Sequence, residues 1–411
     1  LGDVYKRQTE GKTVTYHGQT LHEGDVISVD GSTGNIYLGE IEKTDAEHSE
    51  AFDRFMQWAQ DAARMNVRMN AETPQDIASG YKFDASGIGL VRTEHMFFGA
   101  ERLVQMRRFI LAASQEERIE ALNEIRKYQI EDFEQIFRLS NGRPTIVRLL
   151  DPPLHEFLPK SEDEIQMVSQ QLNVEKDVLR KRITDLHETN PMLGHRGCRL
   201  AVTYPELAEM QTEAIIGSVL KLKEEGIESE PEIMVPLVST AEEFKTLKTT
   251  IQMTAESMLE AAGVSVDYLI GTMIETPRAC LIAGELAKES EFFSFGTNDL
   301  TQLTFGFSRD DAGKFIGEYI NRGLLAVDPF QTLDVDGVGQ LIKTAVEQAK
   351  ATNPDIKIGV CGELGGDPKS IHYFNDLAID YVSCSPFRVP GAMLAAAQSH
   401  VESERVVGAK Q

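Results

Sequence analysis

Over most of its length the sequence alternates between two patterns. Short apolar runs rich in β-branched and aromatic residues are separated by long stretches in which apolar residues recur every three or four positions. The first pattern fits strands buried on both faces and the second fits amphipathic helices. Strand-like runs fall at 66–70, 87–91, 145–150, 232–236, 268–274, 292–295 and 356–360, with a weaker eighth near 193–195. Helical periodicity covers 101–139, 161–188, 206–225, 241–261 and 334–351. Such alternation predicts a parallel α/β architecture. Seven or eight units favour a closed (β/α)8 barrel over an open sheet.

The front of the chain follows a different pattern. Thr13-Val-Thr-Tyr-His17, Val26-Ile-Ser-Val29 and Asn35-Ile-Tyr-Leu38 are short strand-like runs separated by Gly-containing turns. From Asp45 the period becomes helical, and 46–65 places Phe52, Phe55, Met56 and Ala59 on one face. The expected organisation is a small all-β unit over 1–41, a linker helix over 42–65 and the barrel over 66–411. Leu1-Gly-Asp-Val-Tyr-Lys-Arg-Gln8 has neither an apolar h-region nor an initiator Met. It reads as an extraneous scar or the front of an internal fragment, not as a signal peptide.

Composition narrows the class of partner. The 411 residues are 41% hydrophobic and 26% charged, with a formal net charge of −24. That balance excludes non-specific nucleic-acid binding, which needs a basic surface. It permits a small anionic ligand held by a few converging arginines. No apolar run approaches the roughly 18 residues of a membrane span. Cys198, Cys280, Cys361 and Cys384 are widely spaced without a C-x-x-C pair, so neither structural zinc nor a disulfide framework is expected. A reducing, cytoplasmic setting fits.

Reactive residue types collect where the predicted strands end. Arg92 follows Gly87-Ile-Gly-Leu-Val91, Arg148 lies late in Thr145-Ile-Val-Arg-Leu-Leu-Asp151, and Glu275 ends Leu269-Ile-Gly-Thr-Met-Ile-Glu275. Asn298 and Asp299 follow Phe292-Phe-Ser-Phe-Gly296, and Cys361 follows Ile356-Lys-Ile-Gly-Val360. In a (β/α)8 barrel the strand carboxy ends form the rim that carries the active site. Glu275 and Asp299 are hard oxygen donors suited to Mg²⁺. Arg92 and Arg148 suit phosphate or carboxylate oxygens, and Cys361 could move a proton beside them. Singly, each has a plainer reading: the acids as helix caps or ion-pair partners, the thiol as a small buried hydrophobe. Their joint placement is what points to a site.

The same residues carry a resemblance. Gly87-Ile-Gly-Leu-Val-Arg-Thr-Glu-His-Met-Phe-Phe98, Asn190-Pro-Met-Leu-Gly-His-Arg-Gly197, Phe295-Gly-Thr-Asn-Asp-Leu-Thr-Gln302 and Cys361-Gly-Glu-Leu-Gly-Gly-Asp-Pro368 resemble signatures of the phosphoenolpyruvate-utilising enzymes. The run Arg148-Leu-Leu-Asp-Pro-Pro-Leu-His-Glu-Phe-Leu-Pro159 is similar to the dikinase branch, which phosphorylates pyruvate. The resemblance covers nearly everything from about residue 20 onward.

It implies a (β/α)8 barrel whose Arg92 and Arg148 hold the phosphoryl group and enolate oxygen. Glu275 and Asp299 would hold Mg²⁺, Asn298 would contact the phosphoryl group, and Cys361 would be the acid–base residue. Arg196 and Arg309 match further pocket arginines, and the backbone at Gly296 and Thr297 helps seat the substrate. The family's reaction moves a phosphoryl group between a phosphohistidine carrier and pyruvate enolate, forming or consuming phosphoenolpyruvate. Gly24-Asp-Val-Ile-Ser-Val-Asp-Gly-Ser-Thr-Gly34 resembles the last strands of the family's swivelling phosphohistidine domain, so the front would be a remnant of it; that domain's Thr-Ser-His-Ala carrier motif does not occur in the sequence. The carrier and a nucleotide-binding domain are therefore expected as partners, together with a second copy through a barrel-mediated homodimer. A phosphoenolpyruvate synthase-type barrel and a non-catalytic dimerisation barrel are the alternatives. Thr276 stands where the family pattern leads one to expect an aliphatic residue, beside the expected metal ligand.

Overall fold

A computed structural model describes residues 13–16, 19–30, 35–41 and 49–408. Residues 1–8, His17 and the first part of the expected linker, 42–48, lie outside the described residues.

The front forms two antiparallel hairpin pairs. β1 (Thr13–Tyr16) pairs with β2 (Gln19–His22), and β3 (Ile27–Val29) pairs with β4 (Ile36–Leu38). A helix follows over Glu50–Ala62, started by Ser49, whose hydroxyl accepts from the Phe52 amide at 3.1 Å. Only part of its predicted apolar face is covered. Ala59 is buried and Met56 half-buried against the barrel, whereas Phe52 and Phe55 remain exposed.

The remaining strands close a barrel. They are β5 (Asn66–Asn70), β6 (Ile88–Arg92), β7 (Pro144–Arg148), β8 (Glu230–Val235), β9 (Leu269–Ile274), β10 (Phe292–Phe295), β11 (Lys357–Val360) and β12 (Tyr381–Cys384). Each pairs in parallel with its neighbours in sequence, and β12 returns to β5, with Tyr381 opposite Asn66 and Cys384 opposite Met69. This is the expected (β/α)8 barrel with one strand relocated. The eighth strand is 381–384, while Pro191–Leu193 is a 3-10 turn. Tyr381-Val-Ser-Cys384 alternates polar-tipped and apolar residues, so it writes no continuous apolar run into the sequence.

The barrel is packed through the middle. Leu90, Ile146, Met234, Met273, Phe292 and Tyr381 fill its interior beneath Cys361. Below them the buried Arg68 is paired with Glu232 at 2.5 Å, and its guanidinium lies 4.1 Å from the centre of the Tyr381 ring. Two stretches read as single helices are broken by caps. Ser114 separates Ala100–Leu111 from Gln115–Ser140, and Glu162–Leu172 ends at Asn173 in the left-handed conformation before Lys176–Leu186. No helix among the described residues is long and apolar enough to cross a membrane. All four cysteines are buried and unpaired.

Candidate active site

The barrel brings most of the sequence-selected residues onto one rim. Arg92 and Arg148 are the last residues of β6 and β7 and lie opposite each other in register. Glu275 immediately follows β9, and Cys361 immediately follows β11. Gly296 caps the helix Thr297–Phe305, whose first turn carries Asn298 and Asp299. Arg196 enters from the loop before the short helix Cys198–Thr203.

The charged groups form one chain of contacts. Arg196 donates to Asp151 Oδ2 at 2.6 Å and reaches Asp299 Oδ2 at 3.4 Å. Asp151 Oδ2 also lies 3.0 Å from Arg148, whose other amino group binds Glu94. Arg92 is half-buried and paired with Glu72 at 2.6 Å. Arg148, Asp151, Arg196 and Glu275 are all buried. Burial alone would raise Asp151, but the Arg148 and Arg196 guanidiniums outweigh it and hold the carboxyl below its ordinary range. Glu275 moves the other way. Burial, then the neighbouring Asp299 and Asp151 carboxylates, push it well above the usual value against the pull of Arg196 and Arg148.

Close backbone approach seats these groups. A Cβ on Gly296 would fall 2.6 Å from Glu275 Oε2, and one on Gly362 would overlap the Thr297 hydroxyl. Glu275 Oε1 accepts the Leu237 amide at 2.6 Å. Thr276 buries its hydroxyl beside Glu275 without leaving it unpaired. It donates to the Val238 carbonyl at 3.2 Å and accepts from the Ala279 amide at 3.1 Å, capping the next helix. Here a hydroxyl does work that an aliphatic side chain would not.

Cys361 is buried, its amide and thiol both directed at the Phe295 carbonyl, 3.1 and 3.7 Å away. Burial pushes the thiol up to about 11. The Ser294 hydroxyl works against that rise, the Glu275 carboxylate adds to it, and Arg148 and Arg92 oppose it. Ser294, Gly359 and Tyr381 lie side by side on β10, β11 and β12, with Cys361 two positions beyond Gly359. The missing side chain at Gly359 makes room for the Tyr381 ring. Asn70 ties this corner down, donating to the Cys361 carbonyl at 3.0 Å and accepting from Ser383 at 2.6 Å.

Arg309 is not brought into this chain. It is exposed at the start of the short helix Arg309–Ala312 and lines a separate cleft of 520 Å³ with Asp328, Asp367 and Arg388. That cleft adjoins a 190 Å³ cavity beside Arg92, sharing Glu363 and Arg388 with it. Conversely, Glu72, Glu94, Asp151 and the Leu237 amide belong to the site but were not singled out in the sequence. Asp151 stands three residues after Arg148 and Glu94 two after Arg92, a spacing that offered a signal; Leu237 offered none.

Several buried polar atoms here have no protein partner: Glu94 Oε2, Arg148 Nε, Asp151 Oδ1, Arg196 Nε and Thr297 Oγ1. Buried polar atoms are normally satisfied, so such a concentration marks a place built around a ligand. A divalent cation suits the Glu275–Asp299 side, where two carboxylates repel each other. No group of three or more His, Cys, Asp or Glu side chains is gathered for a metal among the described residues. Two protein carboxylates, with water and substrate supplying the rest, is a usual arrangement for Mg²⁺.

Similarity to known proteins extends over most of the chain. The family model for the PEP-utilising enzyme, PEP-binding domain matches residues 46–401. Pyruvate, phosphate dikinase from Clostridium symbiosum is 50% identical over 400 residues, covering 97% of this chain and 46% of its own length. The Rhizobium meliloti enzyme of that name is 51% identical over 388 residues, 94% of this chain and 43% of its own. The chloroplastic Arabidopsis thaliana enzyme is 50% identical over 381 residues, 92% and 40% respectively. The chain thus spans less than half the length of these relatives. Among solved structures, pyruvate kinase from Pyrobaculum aerophilum aligns over 82% of this chain and 72% of its own at 11% identity, with a TM-score of 0.36. That likeness adds nothing to the barrel described above.

Proposed function

The chain belongs to the PEP-utilising enzymes through their PEP-binding domain, and on that premise we propose that its rim interconverts phosphoenolpyruvate and pyruvate. The observation that carries the reading is the gathering of Arg148 and Arg196 around the carboxylates of Asp151, Glu275 and Asp299, with Arg92 in register beside Arg148 and the Cys361 thiol within reach of their charge.

In this reading Arg92 and Arg148 bind the phosphoryl and enolate oxygens. Each already carries a carboxylate partner, Glu72 for Arg92 and Glu94 with Asp151 for Arg148. The guanidiniums are therefore aimed before substrate arrives, and little order is left to impose on binding. Arg196 stays on Asp151 and steadies Asp299. Asn298 and the amino end of its helix face the phosphoryl group, where the helix dipole favours negative charge. Glu275 and Asp299 hold Mg²⁺, which when bound supplies Lewis-acid stabilisation of the enolate oxygen.

Cys361 is a neutral thiol at physiological pH in the unliganded site, the form needed to donate a proton to the enolate carbon. In the opposite direction its thiolate takes a proton from the pyruvate methyl. The enolate oxygen then bonds to phosphorus as the phosphorus–nitrogen bond of a phosphohistidine breaks. With no Thr-Ser-His-Ala motif in the sequence, we assign the phosphohistidine carrier and the nucleotide site to partner domains, as in a pyruvate phosphate dikinase cycle. A barrel-mediated homodimer and a cytoplasmic setting complete the proposal.

Exchange of the pyruvate methyl protons in deuterium oxide, with Mg²⁺ and oxyanion present, tests the acid–base assignment. Exchange should be lost in Cys361→Ala while phosphoenolpyruvate binding stays within about threefold of the parent, since the thiol makes no charge contact with substrate. Equal loss of binding and exchange would make Cys361 structural.

A further inference from the structure

Leu237 is buried, 1% exposed, yet its backbone stands at φ 60°. A branched aliphatic residue in the left-handed region is held there against its own preference, and such positions persist only where the surroundings over-determine them. Four ties do so here. The Leu237 amide donates to Glu275 Oε1 at 2.6 Å. Its carbonyl accepts the Cys198 thiol at 3.2 Å, and the Pro236 carbonyl accepts the Cys198 amide at 3.2 Å. The next carbonyl, Val238, accepts the Thr276 hydroxyl at 3.2 Å.

The turn is also fitted sterically to its neighbour. Gly197 stands at φ 57°, and a Cβ there would lie 2.8 Å from the Leu237 Cβ. The loop that carries Arg196 and the turn that carries Leu237 are therefore packed and hydrogen-bonded as one block.

We propose that Leu237 is a positioning residue: its left-handed turn aims its amide at Glu275 and fixes that carboxylate for the cation it shares with Asp299. In an ordinary extended conformation the amide would point elsewhere, and Glu275 would lose its backbone anchor. The strain is the means by which the chain leaves β8 and turns a donor back onto the end of β9. The inference rests on the metal-binding role given to Glu275 above.

Two substitutions separate conformation from packing. Leu237→Gly keeps the left-handed turn accessible but removes a buried side chain. Leu237→Val keeps most of the apolar volume but disfavours the turn, because a β-branched residue is poorly accommodated there. Calorimetric titration of the chain with oxalate in the presence of Mg²⁺ should show Leu237→Val weakened about tenfold or more and Leu237→Gly within about threefold of the parent. Melting temperatures should run the other way, with Leu237→Gly the less stable. Affinity that follows stability, or affinity unchanged in both, would overturn the proposal.

A second measurement does not depend on the cation. Melting of the metal-free chain should show that Leu237→Val costs less in the Glu275→Ala background than alone, because the amide there has already lost its acceptor. Additive losses would overturn the positioning role. If the parent chain fails to bind Mg²⁺ and oxalate, the functional reading falls, and this cycle decides whether Leu237 positions Glu275.

Discussion

At the scale of single residues, Asp151 is the pivot of the rim. One carboxylate contacts both Arg148 and Arg196, and all three are buried. Removing it leaves Arg148 with Glu94 alone and Arg196 with only the longer Asp299 contact, a weakening of a buried charge cluster that costs up to about 3–5 kcal/mol. Asp151→Asn should therefore lower the unfolding free energy by up to about that amount at neutral pH, as measured by denaturant titration. The sign with pH follows from its lowered carboxyl. The stabilisation is complete above the ordinary value of 3.8 and is lost as pH falls through the lower folded-state value. Parent and variant should converge in strong acid.

Glu275 has the opposite sign. A carboxyl raised in the folded state binds protons that the unfolded state has already lost, so stability falls as pH rises above the ordinary 4.5. Glu275→Gln should raise the melting temperature of the metal-free chain at pH 8, roughly 1 °C for each kcal/mol relieved in a chain of this length, and have little effect near pH 4. The same substitution should abolish stabilisation by Mg²⁺ with oxalate. A variant less stable than the parent at pH 8 would show that the repulsion is not present.

At the scale of elements, the rim depends on glycines that let strands and helix starts approach. Gly362 sits against Thr297, the first residue of the helix that presents Asn298 and Asp299. A methyl group there meets backbone as well as side chain, so the helix start must shift. Gly362→Ala should cost about 1–3 kcal/mol, as overpacking does, and should weaken phosphoenolpyruvate binding more than this destabilisation alone accounts for. Binding indistinguishable from the parent would mean the approach is not needed.

Seven of the eight strands were legible because burial on both faces writes continuous apolar runs into the sequence. The strand 381–384 was not, since its interior-facing Tyr381 and Ser383 carry hydroxyls that interrupt the apolar run. The rim was legible for a related reason: residues that follow a barrel strand must emerge at one end. Supporting acids such as Glu72 and Glu94 were hidden among 65 acidic residues. Leu237 was invisible because left-handed turns are signalled by Gly or Asn, and a leucine there reads as core. Arg309, picked out by resemblance, is exposed beside a neighbouring cleft, because the short helix after Ser308 carries it away from the cluster.

At the scale of the whole molecule, a strongly acidic chain holds a local concentration of arginines at one end of its barrel. Attraction for an anion there is a property of the rim and not of the global charge. Calorimetric titration with phosphoenolpyruvate, with and without Mg²⁺ and beside an Arg92→Ala control, tests this most directly. The account predicts binding that requires Mg²⁺ and is lost in the control. Binding that ignores both the metal and Arg92, or no binding by a chain that melts cooperatively, would contradict it.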